Sequence, residues 1–167
     1  MFDKVEIETP TQLFSFKLGA ALTMEHTVLD MLGELQEKAQ RPELKQQFSH
    51  HADETRRQIA NLEQAFTALG EDPDKKPCPA IEGIEKEGQA NLKMVDDSLN
   101  DAVIVSGVCE TEHHEIAVYE GLVTNAEAMG EQDVVALLTE NLENEQATLQ
   151  KAQQLGRQLA QRAAQMI

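Results

Sequence analysis

The chain has 167 residues, enough for one domain with one core, and it is sparse in Gly (9) and Pro (5) while rich in Ala, Leu, Glu and Gln, a balance that favours helices over sheet. Its 14 Lys and Arg against 30 Asp and Glu leave a formal charge of -16, which repels nucleic acid and anionic membrane surfaces and argues against both as partners. No apolar run approaches the roughly eighteen residues of a membrane span, and Met1-Phe2-Asp3-Lys4-Val5-Glu6 lacks the basic start and apolar core of a signal peptide, so a cytoplasmic location is expected.

Residues 1 to 9 show no sustained period, and Thr9-Pro10 then reads as an N-cap followed by proline at the first helical position. The stripe Phe14, Leu18, Ala21, Glu25, Val28, Leu32, Leu35 marks the inward face of a first long helix; Glu25 is its only charge, and a shift of one position would place Met24 inward instead. Arg41-Pro42 ends that helix and opens a second. The second stripe reads Leu44, Phe48, His51, Glu54, Gln58, Leu62, Ala65 or Phe66, Leu69, and turns polar in its middle before Gly70 closes it.

A polar connection with prolines at both ends, Glu71 to Pro77, leads to a weaker amphipathic piece between Pro79 and about Asp96 that reads as a crossover with a short helix. Residues 97 to 101 offer N-cap candidates for a third long helix, whose inward positions are Val105, Val108, Glu112, Glu115, Tyr119, Leu122, Ala126 and Met129, ending near Gly130. The fourth reads Val135, Leu138, Leu142, Glu145, Leu149, Ala152, Gly156, Leu159, Ala163, Met166. Two short turns and one long middle connection predict an all-α chain: a ferritin-like antiparallel four-helix bundle, residues 1–167 forming one domain.

Antiparallel neighbours share a level when they lie equally far from their turn. The midpoint of Glu25 and Glu54 falls beside the Arg41-Pro42 break, and those of Glu112 or Glu115 with Glu145 fall at Met129-Gly130, so all five acids lie near mid-bundle. Two carboxylates at about 6 Å repel by roughly 3 kcal/mol at an effective dielectric near 20, and several such pairs exceed a typical domain stability of about 5–15 kcal/mol. Two divalent cations supply the missing charge. Carboxylates joined by an imidazole suit iron or manganese, and His51 shares the face of Glu54.

Three stretches carry a family resemblance: His51-Ala52-Asp53-Glu54-Thr55-Arg56-Arg57-Gln58, Glu112-His113-His114-Glu115-Ile116-Ala117-Val118-Tyr119 and Leu142-Glu143-Asn144-Glu145. They resemble the bacterial YciE/YciF-type ferritin-like stress proteins over nearly the whole chain, including the Pro77 to Gly83 crossover. The resemblance implies a rubrerythrin-like bundle with a dinuclear metal site, usually dimeric, and it places the ligands on Glu25, Glu54, Glu112, Glu115 and Glu145. The wider di-iron pattern puts a histidine three residues after a glutamate on the second and fourth helices; those positions hold Arg57 and Thr148 here. His51 is then a replacement nitrogen ligand or a group that orients a carboxylate.

Cys78 and Cys109 have neither CxxC spacing nor a disulfide framework around them, and read as reduced thiols. Gln58 reads as a hydrogen-bonding partner and Tyr119 as a core residue with a satisfied hydroxyl. There is no phosphate loop or nucleophile elbow. The function expected is a dinuclear iron or manganese protein reacting with peroxide or oxygen under stress. The alternative is a metal-free structural bundle acting as a homodimer, with Phe16, Leu22, Leu29 and Ile116 as apolar surface and the acids protonated or paired with Lys17, Arg56 or Arg57.

Overall fold

Thr9 and Pro10 open the first helix through a reciprocal cap. In the computed structural model, which describes residues 7–165, Thr9 Oγ1 accepts from the Gln12 amide at 3.2 Å while Gln12 Oε1 accepts from the Thr9 amide at 3.0 Å. Helix α1 runs Pro10–Lys38, α2 Pro42–Ala68 and α3 Pro79–Met94, each with proline in its first turn, where no intrahelical donor is needed. Asp96 caps a short 3-10 turn, Asp97–Leu99, which feeds α4, Asn100–Met129; α5 spans Gln132–Ala164. Gly70 and Gly130 follow α2 and α4 with φ of 74° and 77°, the left-handed conformation that closes a helix at low cost only for glycine.

The described residues contain no strand. Helices α1, α2, α4 and α5 form the expected bundle, and α3 lies outside it against α4 and α1. Partner positions run in opposite directions: Glu25 meets Tyr119 while Gln40 meets Asp101, and Gln58 meets Glu145 while Asn61 meets Asn141. Neighbours on these two faces are therefore antiparallel. None of the described helices is long and apolar enough to cross a membrane.

Apolar layers of Leu18, Met24, Leu62, Phe66, Tyr119 and Leu138 fill the bundle axis. Both Met24 and Glu25 are fully buried, because α1 packs on two sides. Its second side carries Gly19, whose carbonyl accepts from the Lys76 amide at 3.0 Å; a Cβ there would stand 2.2 Å from the Asp74 carbonyl oxygen. Leu22, one turn on, is buried in the same face and does not belong to the apolar surface expected for it.

The fourth stripe needs a one-position correction: Val134 and Asn141 are buried where Val135 and Leu142 were expected, because Asn141 is drawn inward by hydrogen bonds. Ala163 is exposed, and Met166 lies outside the described residues. On α4, Ile104 and Thr111 are also buried, since α3 covers that flank.

Candidate metal centre

Four glutamates stand at 0–1% exposure in the middle of the bundle: Glu25 on α1, Glu112 and Glu115 on α4, Glu145 on α5. Positions three apart on one helix face the same way, which is why Glu112 and Glu115 both point inward. Two groups of three side chains, each offering one ligand atom, gather within 4.8 Å: His51 with Glu112 and Glu145, and Glu25 with Glu115 and Glu145. Glu145 belongs to both.

Among the described residues, His51 is the cationic side chain that reaches this layer. Its Nε2 lies 3.2 Å from Glu112 Oε1 and its Nδ1 3.4 Å from Glu54 Oε2. Burial alone would lower its pKa; Glu112 and Glu54 outweigh burial and push it up to about 9. Arg56 and Arg57 instead pair at the surface with Asp53 at 2.6 Å and Glu140 at 3.3 Å, and Lys17 is exposed.

Glu54 stands apart from both groups. Its side chain is 18% exposed and lies between His50 Nε2, at 3.3 Å, and His51. The hydrogen bond to His51 holds its carboxyl below the usual range. The inward line of α2 runs through His51, Thr55, Gln58 and Leu62, all buried, so Glu54 falls on the flank of that line.

A chain of amides and one phenol surrounds the acids. Gln58 donates to Glu145 and the Tyr119 hydroxyl donates to Glu25. Asn141 Nδ2 donates to the Tyr119 oxygen at 3.0 Å and to the Gln58 carbonyl at 3.2 Å, and Asn61 donates to Asn141 at 2.8 Å. Sequence reading missed Asn61 and Asn141. The available signal was their spacing, one turn beyond Gln58 and one turn before Glu145.

Desolvation dominates the acids' protonation. Burial pushes Glu25 up to about 7 even though the Tyr119 hydrogen bond pulls it down. Glu115 and Glu145 rise well above the carboxylate range: Glu115 first through burial and then through Glu25 and Glu112, Glu145 first through burial and then through Glu115, Glu25 and Glu112.

These side chains are of the kinds that could hold a metal ion. Five buried carboxylate oxygens accept no hydrogen bond among the described residues: Glu25 Oε2, Glu112 Oε2, both of Glu115, and Glu145 Oε2. His51 Nε2 likewise has no aligned partner. Buried acceptors without donors cost about 1–3 kcal/mol each, a cost that a bound cation would relieve. A cavity of about 60 Å³, lined by Phe48, His50, His51, Glu54, Thr148 and Lys151, touches the centre on its His51 side. Thr148 stands there in the place of a di-iron histidine, while Arg57 points to the surface.

A family model described as Domain of unknown function (DUF892) matches residues 9–165. Protein YciF of Escherichia coli is 29% identical over 146 residues, covering 86% of this chain and 88% of that protein. Among solved structures, YcfI of Rhodopseudomonas palustris, described as a candidate structural protein, superposes with a TM-score of 0.87 at 35% identity over 91% of this chain and 98% of its own. The Escherichia coli stress protein YciF gives 0.85 at 28% identity over 90% and 96%. A protein of Xanthomonas campestris pv. campestris, 22% identical with a TM-score of 0.72 over 91% of this chain and 94% of its own, shares the fold.

Proposed function

The chain belongs to the DUF892 family, and from that premise we propose that it is a dinuclear metal carboxylate protein, binding iron or manganese and turning over peroxide or oxygen under stress. The observation that carries this reading is the pair of three-residue groups sharing Glu145, with five unpartnered carboxylate oxygens around them. His51, Glu112 and Glu145 would hold one ion, and Glu25 and Glu115 with Glu145 would hold the other. Bound metal supplies Lewis acidity and one-electron chemistry toward a small oxidant.

The protein's own contribution is positioning and charge. Glu54 accepts from His51 Nδ1, which sets the imidazole orientation and turns Nε2 toward the centre, where a bound metal would take the place of its proton. Gln58 and Tyr119 each hold one oxygen of an acid, so that the other stays free for a ligand bond. The small cavity beside His51, about 60 Å³, has room for a small oxidant such as peroxide or dioxygen on that side of the centre.

Elemental analysis of tag-free protein after anaerobic reconstitution with ferrous or manganous ions tests this, with about two metal atoms per chain expected. A value near zero overturns it. The description of YcfI as a candidate structural protein favours a second reading, a metal-free bundle in which half-buried Phe16, Leu29 and Ile116 meet a second copy. A monomer by light scattering counts against that one.

A further inference from the structure

Asn141 is fully enclosed where α5 meets α2 and α4, and every polar atom of its side chain is used. Its Oδ1 accepts from Asn61 Nδ2 at 2.8 Å, while its Nδ2 donates to the Gln58 carbonyl at 3.2 Å and to the Tyr119 oxygen at 3.0 Å. Asn61 behind it is buried as well. Asn141 belongs to neither group of three candidate ligands, so its satisfied amide serves them only through the residues it touches.

The Gln58 carbonyl fixes which way round this amide sits. A backbone carbonyl can only accept, and a reversed amide would set Oδ1 against it. The Asn61 amide could turn to follow such a reversal; the carbonyl cannot. With Nδ2 placed on the Tyr119 oxygen, the phenol proton points away from Asn141, and it goes to Glu25 Oε1. The array therefore runs in one sense, from Asn61 through Asn141 and Tyr119 to Glu25. Each bond in such a chain polarises the next, so the N–H on the phenol oxygen strengthens the bond that the phenol donates.

This influence is one-sided. Glu25 stands in the group with Glu115 and Glu145, whereas His51 and Glu112 of the other group receive no hydrogen bond from the array among the described residues. The shared Glu145 is held by the Gln58 side chain, which Asn141 does not touch; its contact is with the Gln58 backbone.

We propose that Asn141 is a positioning residue of the metal centre: seated on Asn61 and on the Gln58 carbonyl, it locks the Tyr119 hydroxyl as a donor to Glu25 and so holds that carboxylate for the ion of the Glu25, Glu115 and Glu145 group. The inference rests on the metal reading above and adds a residue outside both ligand sets that tunes one ion and not the other. Groups that orient ligands in this way are worth about 10–100-fold in metal affinity.

Asn141→Leu nearly keeps the shape of the side chain and removes its donors. Anaerobic equilibrium dialysis of the full chain with manganous ion should then show one of two ions bound about tenfold more weakly and the other unchanged. In the Tyr119→Phe background the same substitution should weaken binding no further, because its path to Glu25 is already cut; a role in packing alone would give additive losses. The chain has one tyrosine and no tryptophan, so the tyrosine absorbance band reports Tyr119 alone, and Asn141→Leu should shift it in the metal-free protein. Asn141→Ser, which withdraws Nδ2 by shortening the side chain, serves the same measurements if the leucine variant folds poorly. Unchanged affinity for both ions, equal weakening of both, a full further loss in the Tyr119→Phe background or an unmoved tyrosine band overturns the proposal. A wild-type chain that binds no manganous ion removes the metal reading along with it, whereas two ions in the wild type and an insensitive variant remove this inference alone.

Discussion

The hydroxyl of Tyr119 on α4 donates to Glu25 on α1 and accepts from Asn141 on α5, so one side chain links three helices at the level of the buried acids. This bond lowers the pKa of Glu25 against the effect of its burial. Tyr119→Phe should therefore destabilise the metal-free protein by about 1–3 kcal/mol, since it leaves the buried Glu25 oxygen without its donor and the Asn141 amide with the Gln58 carbonyl alone. It should also weaken metal uptake at neutral pH, because Glu25 then gives up its proton less readily. Urea unfolding together with a metal titration at pH 7 reads both effects; an unchanged midpoint and unchanged uptake would contradict the role given to this bond.

Glu145 is the residue common to both groups, whereas Glu112 and Glu115 each belong to one. Glu145→Gln should reduce bound metal to near zero, and Glu115→Gln should leave about one ion per chain, held on the His51 side. Metal analysis of the reconstituted variants distinguishes these outcomes. Equal loss in both would mean that the two positions are not separable.

The pH dependence of the metal-free protein has a definite sign. Glu25 titrates at about 7 in the fold against 4.5 in its ordinary state, and Glu115 and Glu145 shift the same way. A raised folded pKa gives stability that is complete below the unfolded value and is lost as pH rises through the folded one. His51 follows the same rule, with its contribution full below 6.5 and lost as pH passes about 9. Without metal, the melting temperature should fall by roughly 5–10 °C between pH 5 and pH 8. With metal the trend should reverse, since ligands bind as carboxylates and neutral imidazole. Thermal melts with and without chelator check this, and a metal-free melting temperature that rises over the same interval would refute it.

Gly19 is where the 71–78 connection meets α1. A Cβ placed 2.2 Å from the Asp74 carbonyl oxygen cannot be accommodated by a rotamer change, because the obstacle is backbone. Gly19→Ala should displace the connection, break the Lys76 to Gly19 hydrogen bond and cost about 1–3 kcal/mol despite the better helix propensity of alanine. Differential scanning calorimetry measures the loss, and limited proteolysis after Lys75 should accelerate. A stabilised variant would show that the connection moves freely.

Much of this protein was legible in its residues because helix physics is local. The Thr9-Pro10 cap, the Arg41-Pro42 break and the glycines at 70 and 130 each act within a few residues, and the apolar period of the long helices needs no partner to be visible. The same period showed Glu25, Glu112, Glu115 and Glu145 as charges on inward faces, and they are buried. It was less reliable by one step of 100°. Asn141 and Leu142 are both plausible on a stripe, and so are Glu54 and Thr55; what selects between them is which neighbour each side chain meets.

That selection belongs to the tertiary structure. Only the packing of α5 on α2 and α4 turns Asn141 inward to Tyr119 and Gln58, and only the distance from His51 to Glu112 makes one imidazole the counter-charge of a buried acid layer. The space between α3 and α4 is likewise invisible to a one-dimensional pattern, because Gly88 and Gly107 are distant in sequence and form a cleft only when two helices face each other. Periodicity decides which side of a helix is buried; the identity of what it is buried against depends on contacts between residues far apart in the chain.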